Sequence, residues 1–351
     1  MEHRSAVRAF IGSFTSAGGR GIVTAGVDPA TGALTESSAT DAVADPSYLA
    51  TGTTDGGPVL YAVSETEEGA VAAFDIGGGR PPRLLGAPVP VNGAGPTHLS
   101  LAPGLLLTAN YGSGSVSSVP VGPGGRPGAV LGVLRHEGRG PHPERQGEPH
   151  AHQVLPDPSG RWVLAVDLGT DSVRVCALDP AGGAAPAPHS ETALEPGTGP
   201  RHLAFHPAGE HVYVLGELRP TLTVCRWDAG RGVLEPLAET SVLPDGHDLP
   251  SFASALAVSR DGRFLWAANR GHDSIAVIRL GAGGEKAEHV TTVPCGGHWP
   301  RDLALGPTGT RLYAANERSG DVTWFDIDAG TGVPHRAGSL AVPAATCVVF
   351  A

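Results

Sequence analysis

The hexapeptide EPHAHQ (148–153) sets His150 and His152 two residues apart at the mouth of a predicted strand that continues as VLPDPSGRWVLAVDLGTDSV. With a side-chain period of two, both imidazoles are expected on one face of that strand. Two histidines so placed suit a metal clip, proton transfer, or hydrogen bonding at a strand end. A zinc pair lacks its partners: no HExxH accompanies them, and Cys176, Cys225, Cys295 and Cys347 are scattered without CxxC spacing. No metal site is expected. A neutral imidazole can accept a proton near pH 7, and that role needs charged groups on neighbouring elements to hold a substrate.

Those elements are copies of one another. GPTHLSLAPGLLLTANYGSGSV (95–116), GPRHLAFHPAGEHVYVLGELRPTL (199–222), FASALAVSRDGRFLWAANRGHDSI (252–275) and WPRDLALGPTGTRLYAANERSGDV (299–322) share the shape of the histidine segment, and DPSYLATG (45–52) opens a weaker copy. Each is a short apolar strand, a Pro or Asp-Gly turn, and a second apolar strand ending in Asn, Asp or Glu. A period near fifty residues built of short strands fits a four-stranded propeller blade, and no segment sustains a helical period. PAATCVVF (343–350) reads as the innermost strand of a seventh unit, while VRAFIGSFT (7–15) and GIVTAGVDPATGAL (21–34) read as outer strands lacking an inner one. The expected fold is therefore an all-β, seven-bladed β-propeller. It fills residues 1–351 as one domain, with the ring closed by N- and C-terminal strands sharing one blade.

Positions where the frame repeats but the chemistry changes are the candidates for function. One is Ser47, Thr97, His152, Arg201, Ser254 and Arg301 on the inner strands; a second, at the end of the following strand, is Tyr111, Leu168, Glu217, Arg270 and Glu317. Both are expected at one mouth of the central channel, where His150, Arg201, Glu217 and Arg270 would converge from three consecutive units. His150 or Glu217 could activate water. The arginines could hold a carboxylate or phosphate and stabilise an oxyanion. That set suffices for lactone hydrolysis without a cofactor. Structural roles compete: Arg201 as a tie between blades, Glu217 and Glu317 as turn caps, and Arg270 with Asn110, Asn269 and Asn316 as turn braces. His202, His206 and His298 read as structural, and Asp167 with Asn110 and Asn269 is a weak oxygen set for calcium.

Arg and Lys total 24 against 35 Asp and Glu, a formal net charge of -11, which argues against a nucleic-acid partner. The opening MEHRSAVRAFIGSF has no apolar run long enough for a signal peptide, and no segment is long enough for a membrane helix. Unpaired cysteines suit a reducing compartment, so a cytoplasmic setting is expected. Nothing in the pattern predicts an oligomeric state.

Taken together, the histidine segment, GPRHLAFHPAGEHVYVLGEL, ASALAVSRDGRFLWAANRGHDSIAV and the opening IGSFTSAGGRGIVTAGVDPATGAL resemble the lactonase family of seven-bladed β-propellers. That family includes propeller-type 6-phosphogluconolactonases and carboxymuconate lactonizing enzymes. The resemblance runs from about Phe10 to the final CVVF. It implies that His150, Arg201, Glu217 and Arg270 carry catalysis. PERQGEPHAH also fits the family, so Arg145 and Gln146 are expected at the mouth; with His152, Arg301 and Glu317 they form the expected substrate-binding set. The implied substrate is a small anionic sugar lactone of the 6-phosphogluconolactone kind. A muconate-type cyclising enzyme and a non-catalytic propeller that binds partners on its face are the rival readings.

Overall fold

Trp162–Asp167 and His211–Gly216 are buried at every position, so both faces of these strands must be covered. Leu164 and Val166 pack towards Leu203, Val212 and Val214, while Val163 and Ala165 point the other way, towards Leu105 and Leu107. The alternation forces each sheet between two others. The apolar core is accordingly divided into clusters that each join neighbouring sheets, and together they run around the ring.

The computed structural model describes residues 7–179, 183–247 and 249–351; MEHRSA, the start of the segment weighed above as a signal peptide, lies outside them. The described residues form seven sheets, six of four strands and one of five. Their inner strands are Leu49–Thr54 in blade 1, Pro96–Ala102 in blade 2 and Ala151–Pro156 in blade 3. Pro200–Phe205, Phe252–Val258 and Pro300–Leu305 open blades 4 to 6, and Ala345–Phe350 is the inner strand of blade 7. Blade 7 is built from both ends of the chain: Ala345–Phe350 pairs antiparallel with Arg8–Ser13, followed by Ile22–Val27 and Leu34–Thr40. The shared blade expected from sequence is therefore present. Neighbouring blades are latched by side chains: Tyr213, Trp266 and Tyr313 donate to the carbonyls of Gly284, Gly332 and Gly32, each in the next blade. No described helix is long and apolar enough to cross a membrane.

Six of the seven described inner strands share one irregularity. Pairing with the next strand skips Thr97, His152, Arg201, Arg301 and Thr346, and in blade 5 it slips between Ala253 and Leu256. These are β-bulges, which bend a strand and re-aim the extra residue's side chain. The recurring inner-strand position found by comparing repeats is thus the bulge residue in blades 2, 3, 4 and 6 and lies within the slipped stretch in blade 5, while Ser47 precedes the unbroken ladder of blade 1. A bulge at His152 also ends the period-two relation expected between His150 and His152.

Candidate active site

A second device fixes the strand ends. The N–H groups of Phe14, Glu65, Tyr111, Leu168, Glu217 and Glu317 donate to the carbonyls of Ala344, Asp45, Gly95, His150, Gly199 and Trp299 at 2.8–3.1 Å. Each acceptor lies two residues before the bulge or, in blade 1, before the matching Ser47. Arg270 is tied to Phe252 through the ladder itself. Each blade therefore brings its recurring inner-strand position and its strand-end residue to the same end of the sheet. Glu65 and Phe14 escaped the comparison of repeats, because the first copy has a longer turn and the seventh is split between the termini. Matching strand ends instead of counting residues would have found Glu65 in VLYAVSE.

Glu217 is the hub of one wall. Its Oε1 receives Arg145 at 2.7 Å, and its Oε2 lies 2.7 Å from Arg270 and 3.2 Å from Arg201 Nε. Glu217 and Arg201 are each 3 % exposed. Burial alone would raise the Glu217 carboxyl, but Arg270, Arg201 and Arg145 outweigh it and hold it down at about 2. A carboxylate so stabilised is a weak proton acceptor. Burial, with the Arg270 charge beside it, lowers Arg201 to about 9, so it remains a cation at neutral pH. Arg201 also donates to the Ser254 carbonyl of the next blade. The site and the tie between blades are one arginine.

His150 stands on the adjoining wall. Its backbone N–H donates to Asp167 Oδ1 at 2.9 Å, and the other oxygen of Asp167 lies 2.6 Å from buried His136. The His150 ring stacks on Tyr111 with centroids 4.4 Å apart, and Nδ1 sits 3.0 Å from the Tyr111 carbonyl oxygen. The Tyr111 hydroxyl accepts Arg145 at 3.2 Å. Contacts thus run unbroken from His150 through Tyr111 and Arg145 to Glu217 and Arg270.

Opposite, Arg301 is shared between Glu317 of its own blade and Glu65 of blade 1, both at 3.4 Å, and lies over the Phe14 ring at 4.9 Å. These separations exceed the 2.7–2.9 Å typical of charge-assisted hydrogen bonds. Beneath the two walls, His98, His152 and His202 form a buried imidazole cluster with Tyr48: ring centroids are 5.5 Å for His152–His202 and 5.7 Å for His98–His202. Burial and the Arg201 charge hold His98 down at about 3 and push His152 and His202 well below the usual histidine range. These imidazoles are neutral.

Most of the expected site residues meet here: His150, Arg201, Glu217, Arg270, Arg145, Arg301 and Glu317. Gln146 does not. It is 0 % exposed, and its amide is taken up by Leu168 O, Asp171 and the His142 N–H, so it braces its loop instead of lining the mouth. His152 faces the deeper cluster, meeting Tyr111 edge-on at 5.6 Å. His202, read from sequence as a lone structural residue, belongs to that cluster too. Asn110, Asn269 and Asn316 are buried and donate to Ser117, Val242 O and Thr323. Among the described residues no group of three or more His, Cys, Asp or Glu is arranged to hold a metal.

Residues 8–350 match the family model for lactonases of the 7-bladed beta-propeller type. The chain is 34% identical over 345 residues to the 6-phosphogluconolactonase of Bacillus subtilis, covering 97% of each protein. The solved periplasmic gluconolactonase of Pseudomonas aeruginosa superposes with a TM-score of 0.89 at 28% identity, over 99% of both chains. A protein from Lactobacillus plantarum superposes at 0.91, also with 28% identity, over 99% of both chains. The match over nearly the whole chain and the shared seven-bladed ring lead to one conclusion: the chain belongs to the seven-bladed β-propeller lactonase family.

Proposed function

We propose that this protein hydrolyses a small anionic sugar lactone, of the 6-phosphogluconolactone class, to the open-chain acid. The observation that carries the reading is the chain of contacts from His150 to the three guanidiniums on Glu217. It puts a proton acceptor beside buried cations.

The steps follow from the groups present. Nδ1 of His150 donates to a carbonyl, so Nε2 holds the lone pair and takes a proton from water. The hydroxide oxygen bonds to the lactone carbonyl carbon, and the carbonyl oxygen becomes an oxyanion beside Arg270 and Arg201. Collapse breaks the bond to the ring oxygen, which leaves with the proton held on Nε2. Glu217 stays ionised throughout and keeps the arginines aimed inward. Arg301, weakly engaged by its two carboxylates, takes the anionic end of the substrate. Family relatives named for 6-phosphogluconolactone and gluconolactone support the substrate class. Buried, unpaired cysteines support a reducing, cytoplasmic setting.

A docking scaffold finds little support. The exposed large apolar side chains among the described residues are three: Leu131, Leu237 and Leu249. The deciding experiment is acid release from a panel of phosphorylated, neutral and muconate-type lactones. Hydrolysis of the phosphorylated sugar lactone well above the buffer rate, lost in Arg201→Ala protein that remains folded, is the expected result. Turnover no faster than buffer would remove the proposal, and preference for a muconolactone would move it to the cyclising branch.

A further inference from the structure

The residue whose carbonyl clips the strand end takes a left-handed backbone conformation in five blades: Asp45 (φ 45°), Gly95 (56°), Gly199 (55°), Trp299 (65°) and Ala344 (54°). His150 makes the same clip in blade 3 without a left-handed backbone, so the turn belongs to these five blades and not to the clip as such. Glycine makes such a turn without steric penalty, and Asp tolerates it. An indole there is the expensive choice. Strain of this kind persists where the surroundings hold it, and it concentrates at functional sites.

The surroundings of Trp299 are two cations. The Arg318 guanidinium carbon lies 3.4 Å from the indole centroid and that of Arg270 lies 5.5 Å away, with the Phe252 ring at 6.2 Å. Asp273 accepts the Trp299 N–H at 2.8 Å and fixes the turn. Arg270 reaches Glu217 with one terminal nitrogen and the Phe252 carbonyl with Nε at 3.2 Å. Those bonds hold the edge of the guanidinium. The indole supplies what they lack, an attractive aromatic surface that limits where the side chain can swing.

We propose that Trp299 is a positioning residue for Arg270: the left-handed turn delivers its indole to the mouth, where it keeps the guanidinium on Glu217 and aimed at the site. The position is the one His150 occupies in blade 3, so one frame position supplies a proton acceptor in one blade and a support for the anion-binding arginine in another. The kinetic consequence rests on the lactone reading above. The structural consequence does not.

Trp299→Gly is the test, because glycine suits the turn and removes the indole alone. A crystal structure of this variant is expected to show Arg270 displaced from Glu217, with Tm unchanged or raised; Arg270 still seated on Glu217 overturns the proposal regardless of any activity. In protein whose wild-type form hydrolyses lactone, kcat is expected to fall about tenfold or more while KM moves less, and Trp299→Phe restores most of it. In an Arg270→Lys background the loss from Trp299→Gly shrinks, because the arginine it supports is gone. Wild-type kcat in Trp299→Gly, or equal losses in the two backgrounds, contradicts action through Arg270. A parallel collapse of Tm and activity that phenylalanine does not rescue reduces Trp299 to a packing residue.

Discussion

Nδ1 of His150 lies 3.0 Å from the carbonyl oxygen of Tyr111, and the two rings stack at 4.4 Å. A carbonyl oxygen only accepts, so in the neutral ring the proton sits on Nδ1 and the lone pair on Nε2. The partner is backbone, which no side-chain substitution of Tyr111 removes.

That arrangement separates two variants. His150→Gln removes the proton acceptor and is expected to reduce kcat by about 10²–10⁴-fold, with Tm close to wild type. Tyr111→Phe keeps the carbonyl and the stack and loses only the hydroxyl on Arg145; its kcat should stay within about fivefold of wild type, because the proton acceptor is untouched. Steady-state kinetics on both decide the point: equal losses in the two variants would mean that the phenol, not the imidazole, performs the proton transfer.

Glu217 neutralises a cluster of buried guanidiniums, and removing its charge leaves them facing one another. Glu217→Gln is nearly isosteric, yet a loss of about 3–5 kcal/mol is expected, as for breaking a buried ion pair. Urea denaturation measures it. A midpoint unchanged from wild type would show that the cations find other compensation.

Acid sensitivity should begin well above the carboxylate range. His98, His152 and His202 titrate in the native protein far below the ordinary histidine value of 6.5. Since the unfolded chain binds protons that the native cluster refuses, the stabilisation is complete above pH 6.5 and erodes as pH falls below it. Each group contributes a slope of about 1.4 kcal/mol per pH unit in that window. Glu217 adds its own loss only as pH drops below 4.5 towards about 2. Stability measured between about pH 6.5 and pH 5 should therefore decline steeply, and His98→Gln should flatten the decline by about one third. An unaltered slope would place the responsible protons elsewhere.

Arg301 reports on the charge of the substrate. Its carboxylates sit at 3.4 Å, leaving room for a better acceptor to displace them. Arg301→Met is expected to raise KM for a phosphorylated lactone by about tenfold or more, while KM for its unphosphorylated counterpart changes little. Equal effects on the two substrates would assign Arg301 to the scaffold.

Much of this was legible in one dimension because the chain repeats. Where six copies share a frame, the position carrying Ser, Thr, His, Arg, Ser and Arg in turn stands out, and it proved to be the bulge residue in blades 2, 3, 4 and 6 and to lie in the slipped stretch of blade 5. The strand-end position surfaced for the same reason and yielded Glu217 and Arg270. Glu65 and Phe14 did not, since the repeat is stretched in one case and split in the other. Gln146 was misplaced because nothing in PERQGEPHAH distinguishes an amide that faces solvent from one that pins a loop.

The sequence by itself determined the ring: apolar middle strands with both faces to bury, punctuated at a steady period, and two termini that each lack what the other has. It also determined which residue types reach the mouth. Tertiary structure alone decided their roles, because a role depends on what a side chain meets across blades far apart in the chain. Bulges broke the alternation that seemed to equate His150 with His152, and burial turned one imidazole into a neutral member of a cluster. Three guanidiniums from different segments made Glu217 a hub for cations. A backbone carbonyl from the preceding blade settled which nitrogen of His150 is free.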